Sequence, residues 1–481
     1  MPIMNCTQQR HRSKKIHKIY KKKIRRRRKL VRLRNRYLNL KHHAHRTGKI
    51  DQTLSSFHAF TASVRAGNRP SHSQTIQFLS KIVTVFANQS KFDLDKGHFQ
   101  VPKVFSLTDN YQETFTFLKR LFVVLHARHS IEITIDYAYC ERIDLDASVV
   151  LDVLLREFII NIHSCRQKGH RTTHTVRPIN FNRPEIEEIL LSIGSYRILK
   201  GLFVDFPNSI SFPLRTGGKY YPGQVEINST DVVAYIEQCL NRCDRELTGP
   251  TKKELSDIIG EVLNNADVHS TIQQHYLIGY FKLNQDQAKT VGTFNLVIFN
   301  FGDTIYQKFK DPACPNQTVV SQMKELSKMY TERGWLTQLL DGPRFEEETL
   351  WTLYALQQGV TSYKNWERGN GTIEFIESFF VLKGDNEQAD DSQLTLLSGN
   401  TRITFDGTYG IKTRTGTGPD NQNEYVKVMT FNESGDIRQQ PDRNFVNFTP
   451  HFFPGTLISA KICIKPSNTA VKINAHESAT D

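Results

Sequence analysis

Glu261-Val-Leu-Asn-Asn-Ala-Asp-Val-His-Ser270 sets a carboxylate, an amide and an imidazole along one side of a helix. Glu261, Asn265 and His269 are four residues apart, so successive turns stack them. Leu255, Ile258, Ile259, Val262 and Ala266 follow the 3.6-residue period on a neighbouring stripe, which is the face to bury. Thr251 with Glu254 three residues later reads as a capping box that opens the helix. A polar ladder beside a buried stripe can hold a cation and a water. It is also what the solvated edge of any amphipathic helix looks like, and these residues alone leave both readings open.

Three more stretches follow in order. Leu296-Val-Ile-Phe-Asn-Phe-Gly-Asp-Thr-Ile305 is a short apolar run ending in a glycine turn. Gly359-Val-Thr-Ser362 precedes Arg368-Gly-Asn-Gly-Thr-Ile373, and Phe453-Pro-Gly-Thr-Leu-Ile458 closes the set. With the helix above, they resemble the N box, G1 box, G2 box and closing strand of one ATP-binding superfamily. It is that of gyrase, heat-shock chaperones, histidine kinases and MutL (GHKL), and the likeness is greatest to anti-sigma-factor kinases and sensor-kinase ATPase domains. The resemblance covers roughly residues 250 to 465.

The resemblance implies a Bergerat-type α/β sandwich over 226–468, with helices on one face of a mixed sheet. It implies ATP and Mg²⁺ as cofactors and a Mg-dependent ATPase as the activity. Asn265 would be the Mg²⁺ ligand, since that ion takes hard oxygen donors and keeps waters and phosphates for the rest. Glu261 would orient or deprotonate the attacking water as the catalytic base. Asn264 and His269 adjoin them as cofactor-binding residues. Asn300 would meet adenine, with Gly302 and Thr304 beside it. Thr361, Ser362, Arg368, Gly369, Asn370, Gly371 and Thr372 would cradle phosphate, helped by side-chain-free glycines and the positive end of a helix at 372–380. Thr456 would close the pocket, and 306–358 would form a mobile lid. Three positions depart from the pattern. Asn300 replaces an aspartate and can accept a hydrogen bond without its charge. Thr304 stands at the last glycine of G1, and Val268 stands where many sensor kinases carry lysine.

The charge is unevenly spread. The chain of 481 residues has 63 Lys and Arg and 49 Asp and Glu, a net of +14. Residues 1–50 hold 19 of the basic residues and no acidic one, which leaves 44 basic against 49 acidic, a net of −5, in the other 431. That split marks a basic arm on an ordinary globular body. The arm carries Lys21, Lys22, Lys23, Arg25, Arg26, Arg27, Arg28, Lys29, Arg32, Arg34 and Arg36, with Tyr20 and Tyr37 interleaved. Free, it repels itself. Against nucleic acid, RNA or DNA, it can fold and touch phosphates without reading sequence. An anionic membrane surface competes as partner, and so does the absence of any partner.

No secretory signal is legible, and runs such as Leu121–Leu125 are too short to span a bilayer. The seven cysteines, including the pair Cys239 and Cys243, form no metal set and read as buried thiols of a reducing cytoplasm.

Residues 51–225 read as a separate α/β module. Ile131, Ile133 and Ile135 alternate with polar residues as a strand. A long helix fits 145–162, a strand fits 175–181, and Pro184 can start a helix over 185–193 that ends at Gly194. This order suggests a partly parallel sheet. With Ile-Thr-Ile-Asp136 and Asp146-Ala-Ser148, it is similar to STAS-type domains, whose members include phosphorylatable anti-sigma antagonists. Ser148 lies near that serine, and the plainer reading is an unmodified helix-start residue. Residues 384–393 and 413–442 read as surface loops or an insertion, and 469–481 as a disordered tail.

The overall expectation is an α/β and α+β chain acting as an ATP-binding switch, with its arm on nucleic acid or a ribonucleoprotein and a protein partner or second copy alongside. A bacterial defence or regulatory setting would suit it. The alternatives are an anti-sigma-type serine/threonine kinase and a nucleic-acid scaffold with a degenerate ATP site.

Overall fold

The computed structural model describes residues 73–87, 97–127, 130–167, 173–193, 206–218, 223–286, 289–331, 345–360, 362, 371–383, 391–417 and 423–466. The basic arm with its eleven named lysines and arginines lies outside the described residues, and so do the tail at 469–481, Gly194, Thr361, Arg368, Gly369 and Asn370.

The first half is built around parallel strands. It runs α1 (Gln74–Ala87), β1 (His98–Gln100), β2 (Val104–Phe105), α2 (Tyr111–Ala127), β3 (Ser130–Asp136), β4 (Arg142–Ile143), α3 (Leu145–Gln167), β5 (Thr173–Ile179) and α4 (Pro184–Ile193). Strand β3 pairs in parallel with β1 and with β5, and the small pair β2–β4 is parallel too. Parallel neighbours need crossovers, and α2 and α3 supply them. In β3, Ile133 and Ile135 are buried while Glu132 is exposed, the period-2 pattern of a strand covered on one side. Pro184 is the first residue of α4, where its missing N–H costs nothing.

The second half contributes β6 (Ser209–Gly218), α5 (Gln224–Asn241), α6 (Gly249–His269), β7 (Gln274–Asp286), β8 (Lys289–Phe301), α7 (Ile305–Lys310), α8 (Gln317–Thr331), α9 (Glu347–Ala355), α10 (Gly371–Lys383), β9 (Gln393–Phe405), β10 (Lys412–Thr417), β11 (Asn423–Val428) and β12 (Val446–Ile464). Five strands form one sheet in the order β6-β7-β8-β12-β9. The expectation of a mixed sheet is corrected, because all four ladders are antiparallel. The cause is connectivity: the chain leaves β9, makes the β10–β11 hairpin and returns as β12 between β8 and β9, so it opposes both.

This sheet is buried on both faces. Leu296, Ile298, Leu277, Ile458 and Ile462 belong to a core with α5, α6 and α10. The alternating residues Val297, Phe299, Phe301, Tyr276, Ile278 and Leu457 belong to the other core, with Phe105, Leu118, Leu121 and Leu154 of the first half. Helix α3 is buried almost all round, with Leu145, Ala147, Val149, Val150, Leu151, Val153 and Leu154 all inaccessible. Such a helix has to be enclosed on every side, and α3 touches β5 on one side and β7 and β8 on the other. Helices thus cover both faces of the sheet rather than one.

The halves are therefore not the two independent modules expected from the sequence. Residues 209–218, assigned there to a module ending at 225, form β6 and pair with β7, for example Phe212 opposite Gly279. Polar ties cross the junction as well: Thr75 Oγ1 with Tyr276 OH at 2.9 Å, Tyr111 OH donating to His451 O at 2.8 Å, and Arg156 Nη1 donating to Thr216 Oγ1 at 3.1 Å.

Smaller expectations also change. Helix α6 starts three residues early. Its N-cap is Thr248, whose hydroxyl accepts from the Thr251 N–H, with Pro250 in the first turn. The segment 306–358, expected as a lid, contains α7, α8 and α9 around a core of their own that includes Phe309, Met323, Trp351 and Tyr354. Within 413–442 a β-hairpin replaces the expected loop, and buried Phe431 packs on Phe405, Tyr409 and Phe445. Ser148 is buried, out of reach of a modifying enzyme in this fold. Cys140, Cys239, Cys243 and Cys314 are buried free thiols and Cys463 is half-buried. Among the described residues no helix is long and apolar enough to cross a membrane.

Candidate functional site

Helix α6 presents its buried stripe, Leu255, Ile258, Ile259 and Val262, to the sheet. At its C-terminal end this stripe gives way to Asn265 and Ala266, which line a cleft against β8 and β12. Ile298, Leu396 and Ile458 make an apolar floor, and Ile305, Phe309, Leu356 and Val360 of the α7–α9 unit make one wall. Ser362 and Thr372 stand opposite, Thr372 in the first turn of α10. The cleft has a volume of about 120 Å³.

Asn300 is the focal side chain. It sits on β8, opposite His275 of β7 and Thr456 of β12. Strand alternation places it with Leu296 and Ile298, on the α6 side of the sheet. It is 3% exposed and lines the cleft, and among the described residues its amide has no hydrogen-bond partner. The amide opens into the cleft, where water or an occupant can meet its donor and its acceptor.

The neighbouring glycines are explained by packing. A side chain on Gly302 would strike Thr271 N and Ser270, and one on Gly455 would strike the Asn300 carbonyl. Gly302 N–H also donates to Pro454 O at 3.1 Å. Close backbone approach thus fixes β8 against the bend in β12. Thr304, expected as a ligand contact, is instead the N-cap of α7. Its hydroxyl accepts from Gln307 N–H at 3.1 Å, and the Gln307 side chain accepts from Thr304 N–H at 2.9 Å. Behind it, Glu348 accepts from Asn400 N–H at 2.8 Å, and burial pushes its carboxyl above the ordinary range against that bond. Thr456 lines the cleft while its hydroxyl bonds to Ser398 at 3.0 Å, and Ser398 caps the Ile305 N–H at 2.9 Å.

Glu261 falls elsewhere. It lines a surface groove between α5 and α6 together with Asn264, Asp257 and Glu226, and it is not among the residues lining the cleft. Asn265 borders both spaces. Of the sequence-derived set, then, Asn265, Asn300, Ser362, Thr372 and Thr456 meet at one cleft, Gly302 and Thr304 support it, and Glu261 and Asn264 face outward beside it. Gly371 opens α10. His269 ends α6 at Ser270, and its side chain lies outside the described residues.

The sequence reading missed two charged residues in the cleft, Asp303 and Lys308, which pair at 2.9 Å. Their signal was present, since Asp303 follows Gly302 directly and Lys308 lies one turn into α7. It also missed a buried relay beneath the site. His275 is inaccessible, with Nδ1 at 2.6 Å from Asp267 Oδ1 and Nε2 at 3.1 Å from Asn228 Nδ2, and Gln224 donates to Asn228 Oδ1 at 2.9 Å. This chain ties α5, α6 and β7 together behind the cleft. Among the described residues no group of three His, Cys, Asp or Glu could hold a metal ion. Compared with protein-family models, curated proteins and solved structures, the chain matches none.

Proposed function

We propose that the cleft binds ATP with Mg²⁺, as the resemblance to the GHKL superfamily implies, and that the protein is a nucleotide-dependent switch. The observation that carries this reading is the amide of Asn300, which opens into the cleft above an apolar floor. An amide offers a donor and an acceptor side by side, which suits the paired acceptor and amino group on the edge of adenine. The cleft, at about 120 Å³, is smaller than the ~300–1,000 Å³ of most small-molecule sites. The base fills it and the phosphates lie in the mouth, by Asn265, Ser362 and Thr372. The Asn265 side-chain oxygen would hold the metal ion, which would neutralise phosphate charge there. The first turn of α10 adds its positive end.

Two features favour binding over rapid turnover. Glu261 lies in the groove beside the cleft, and Thr304 spends its hydroxyl on a helix cap. The uneven charge supports the remainder of the proposal: an intracellular protein whose basic arm holds nucleic acid, preferably RNA, while the STAS-like first half shares the sheet's far face and feels changes at the cleft. A kinase acting on Ser148 is disfavoured by the burial of that residue.

Calorimetric titration with ATP, with and without Mg²⁺, tests the reading. The wild-type chain should bind one nucleotide more tightly with the metal, and Asn265→Ala should remove that metal dependence. A metal response that survives the substitution would exclude Asn265 as the ligand.

A further inference from the structure

Among the described residues that line the cleft, the charged ones are Asp303 and Lys308, and they pair with each other at 2.9 Å. Both main chains are anchored. Asp303 N–H donates to Thr271 Oγ1 at 3.0 Å, directly after Gly302, whose backbone lies against Ser270 and Thr271. Lys308 N–H donates to Thr304 O at 3.2 Å, inside the helix that the Thr304 and Gln307 capping box opens. The carboxylate is thus fixed on a short stem, while the ammonium rides on a flexible four-carbon stem. The two side chains keep part of their surface in water, 41% for Asp303 and 29% for Lys308. Water screens such an ion pair, so its partners exchange at little cost.

We infer that Lys308 changes partner on binding: it pairs with Asp303 in the free chain and with the phosphates when a nucleotide is bound, so Asp303 is a built-in competitor that sets how tightly the anion is held. The inference rests on the nucleotide reading of the cleft and adds a selection for charge to the selection for the base. Lys308 lines the same cleft as Asn265, Ser362 and Thr372, beside which the phosphates are placed. While the ion pair is closed its two charges cancel, and an incoming phosphate gains no net attraction from it. Once the ammonium has moved to the phosphate, the Asp303 carboxylate is left without its partner and opposes the bound charge. Affinity for the triphosphate is the balance of these two effects, and a nucleoside without phosphate feels neither.

The test uses the full chain in calorimetric titrations with Mg-ATP and with adenosine, which keeps the base and sugar without the charge. Lys308→Met should weaken Mg-ATP by at least about tenfold, the value of one charge-assisted hydrogen bond, and Lys308→Arg should restore it. Asp303→Asn removes the competitor and should tighten Mg-ATP by about three- to fivefold, the release of one exposed ion pair. Adenosine affinity and the thermal midpoint should be the same in all of these proteins. Mg-ATP affinity unchanged in both Lys308→Met and Asp303→Asn would overturn the inference and leave the nucleotide reading in place. Weaker Mg-ATP binding by Asp303→Asn would make that carboxylate a ligand of the metal ion and would overturn it as well. A wild-type chain that binds neither Mg-ATP nor adenosine would overturn the nucleotide reading, and the inference with it.

Discussion

His275 and Asn300 face each other across the β7–β8 ladder, and they were buried for opposite ends. The imidazole has a partner at each nitrogen, from α6 on one side and α5 on the other. The amide, its direct partner across the ladder, opens into the cleft instead. Buried polar groups in folded proteins are nearly always satisfied. His275 obeys that rule within the chain, while Asn300 opens its amide to whatever fills the cleft. Two polar residues paired across one ladder are thus placed differently: one ties helices together and the other lines a cleft.

Substitutions can break or sharpen that contrast. The largest effect belongs to the layer that both regions rest on. Phe299 is 1% exposed, in the core shared by the two halves, and Phe299→Ala should cost about 3–5 kcal/mol. Urea unfolding followed by far-UV dichroism and by tryptophan fluorescence should move as one transition. Two separated transitions would mean that the halves are independent after all.

Next comes the relay. His275→Leu leaves Asp267 and Asn228 without their partner and should cost about 1–3 kcal/mol. Asn300→Leu replaces an unpartnered amide with an apolar side chain of similar size, so unfolding experiments should find stability unchanged or slightly raised. A loss as large as that of His275→Leu would show that Asn300 is structural.

Asp146 gives the most specific effect. It is a buried carboxyl in the first turn of α3 that accepts from Leu107 N–H and Thr108 Oγ1. Burial, with Asp144 nearby, pushes its pKa up to about 6 from 3.8. A raised carboxyl favours the protonated native state, so its contribution is present at low pH and is lost as pH rises from about 4 to about 6. In Asp146→Asn, stability measured across that window should fall less steeply than in the wild type, and an identical slope would remove Asp146 as the cause.

Much of this was legible in the residues. The stripe Leu255–Val262 announced α6 and its buried face, and alternation at Ile133 and Ile135 announced β3. The unbroken apolar run from Leu296 to Phe299 signals a strand covered on both faces, which is how the shared core could have been foreseen. Reading it as part of a self-contained module over 226–468 hid the partner that covers its far side. Thr304 with Gln307 is a capping box visible in the sequence, and the glycine pattern drew attention away from it. The relay was not legible, because His275 finds Asn228 only after α5 and β7 are docked across 47 residues. The outward setting of Glu261 was equally hidden. A helical repeat places Glu261 and Asn265 on one side, but the packing of α5 and the sheet decides that both border the groove and only Asn265 reaches the cleft.

The most direct measurement is a calorimetric titration of Mg-ATP into the wild-type chain and Asn300→Leu, with the fold of each checked by its thermal midpoint. The expected result is one site in the wild type and an affinity at least about tenfold weaker in a variant that is no less stable, as loss of a buried hydrogen-bonding pair requires. Equal affinity in the two proteins, or no binding by the wild type, would contradict the assignment of Asn300 to a nucleotide.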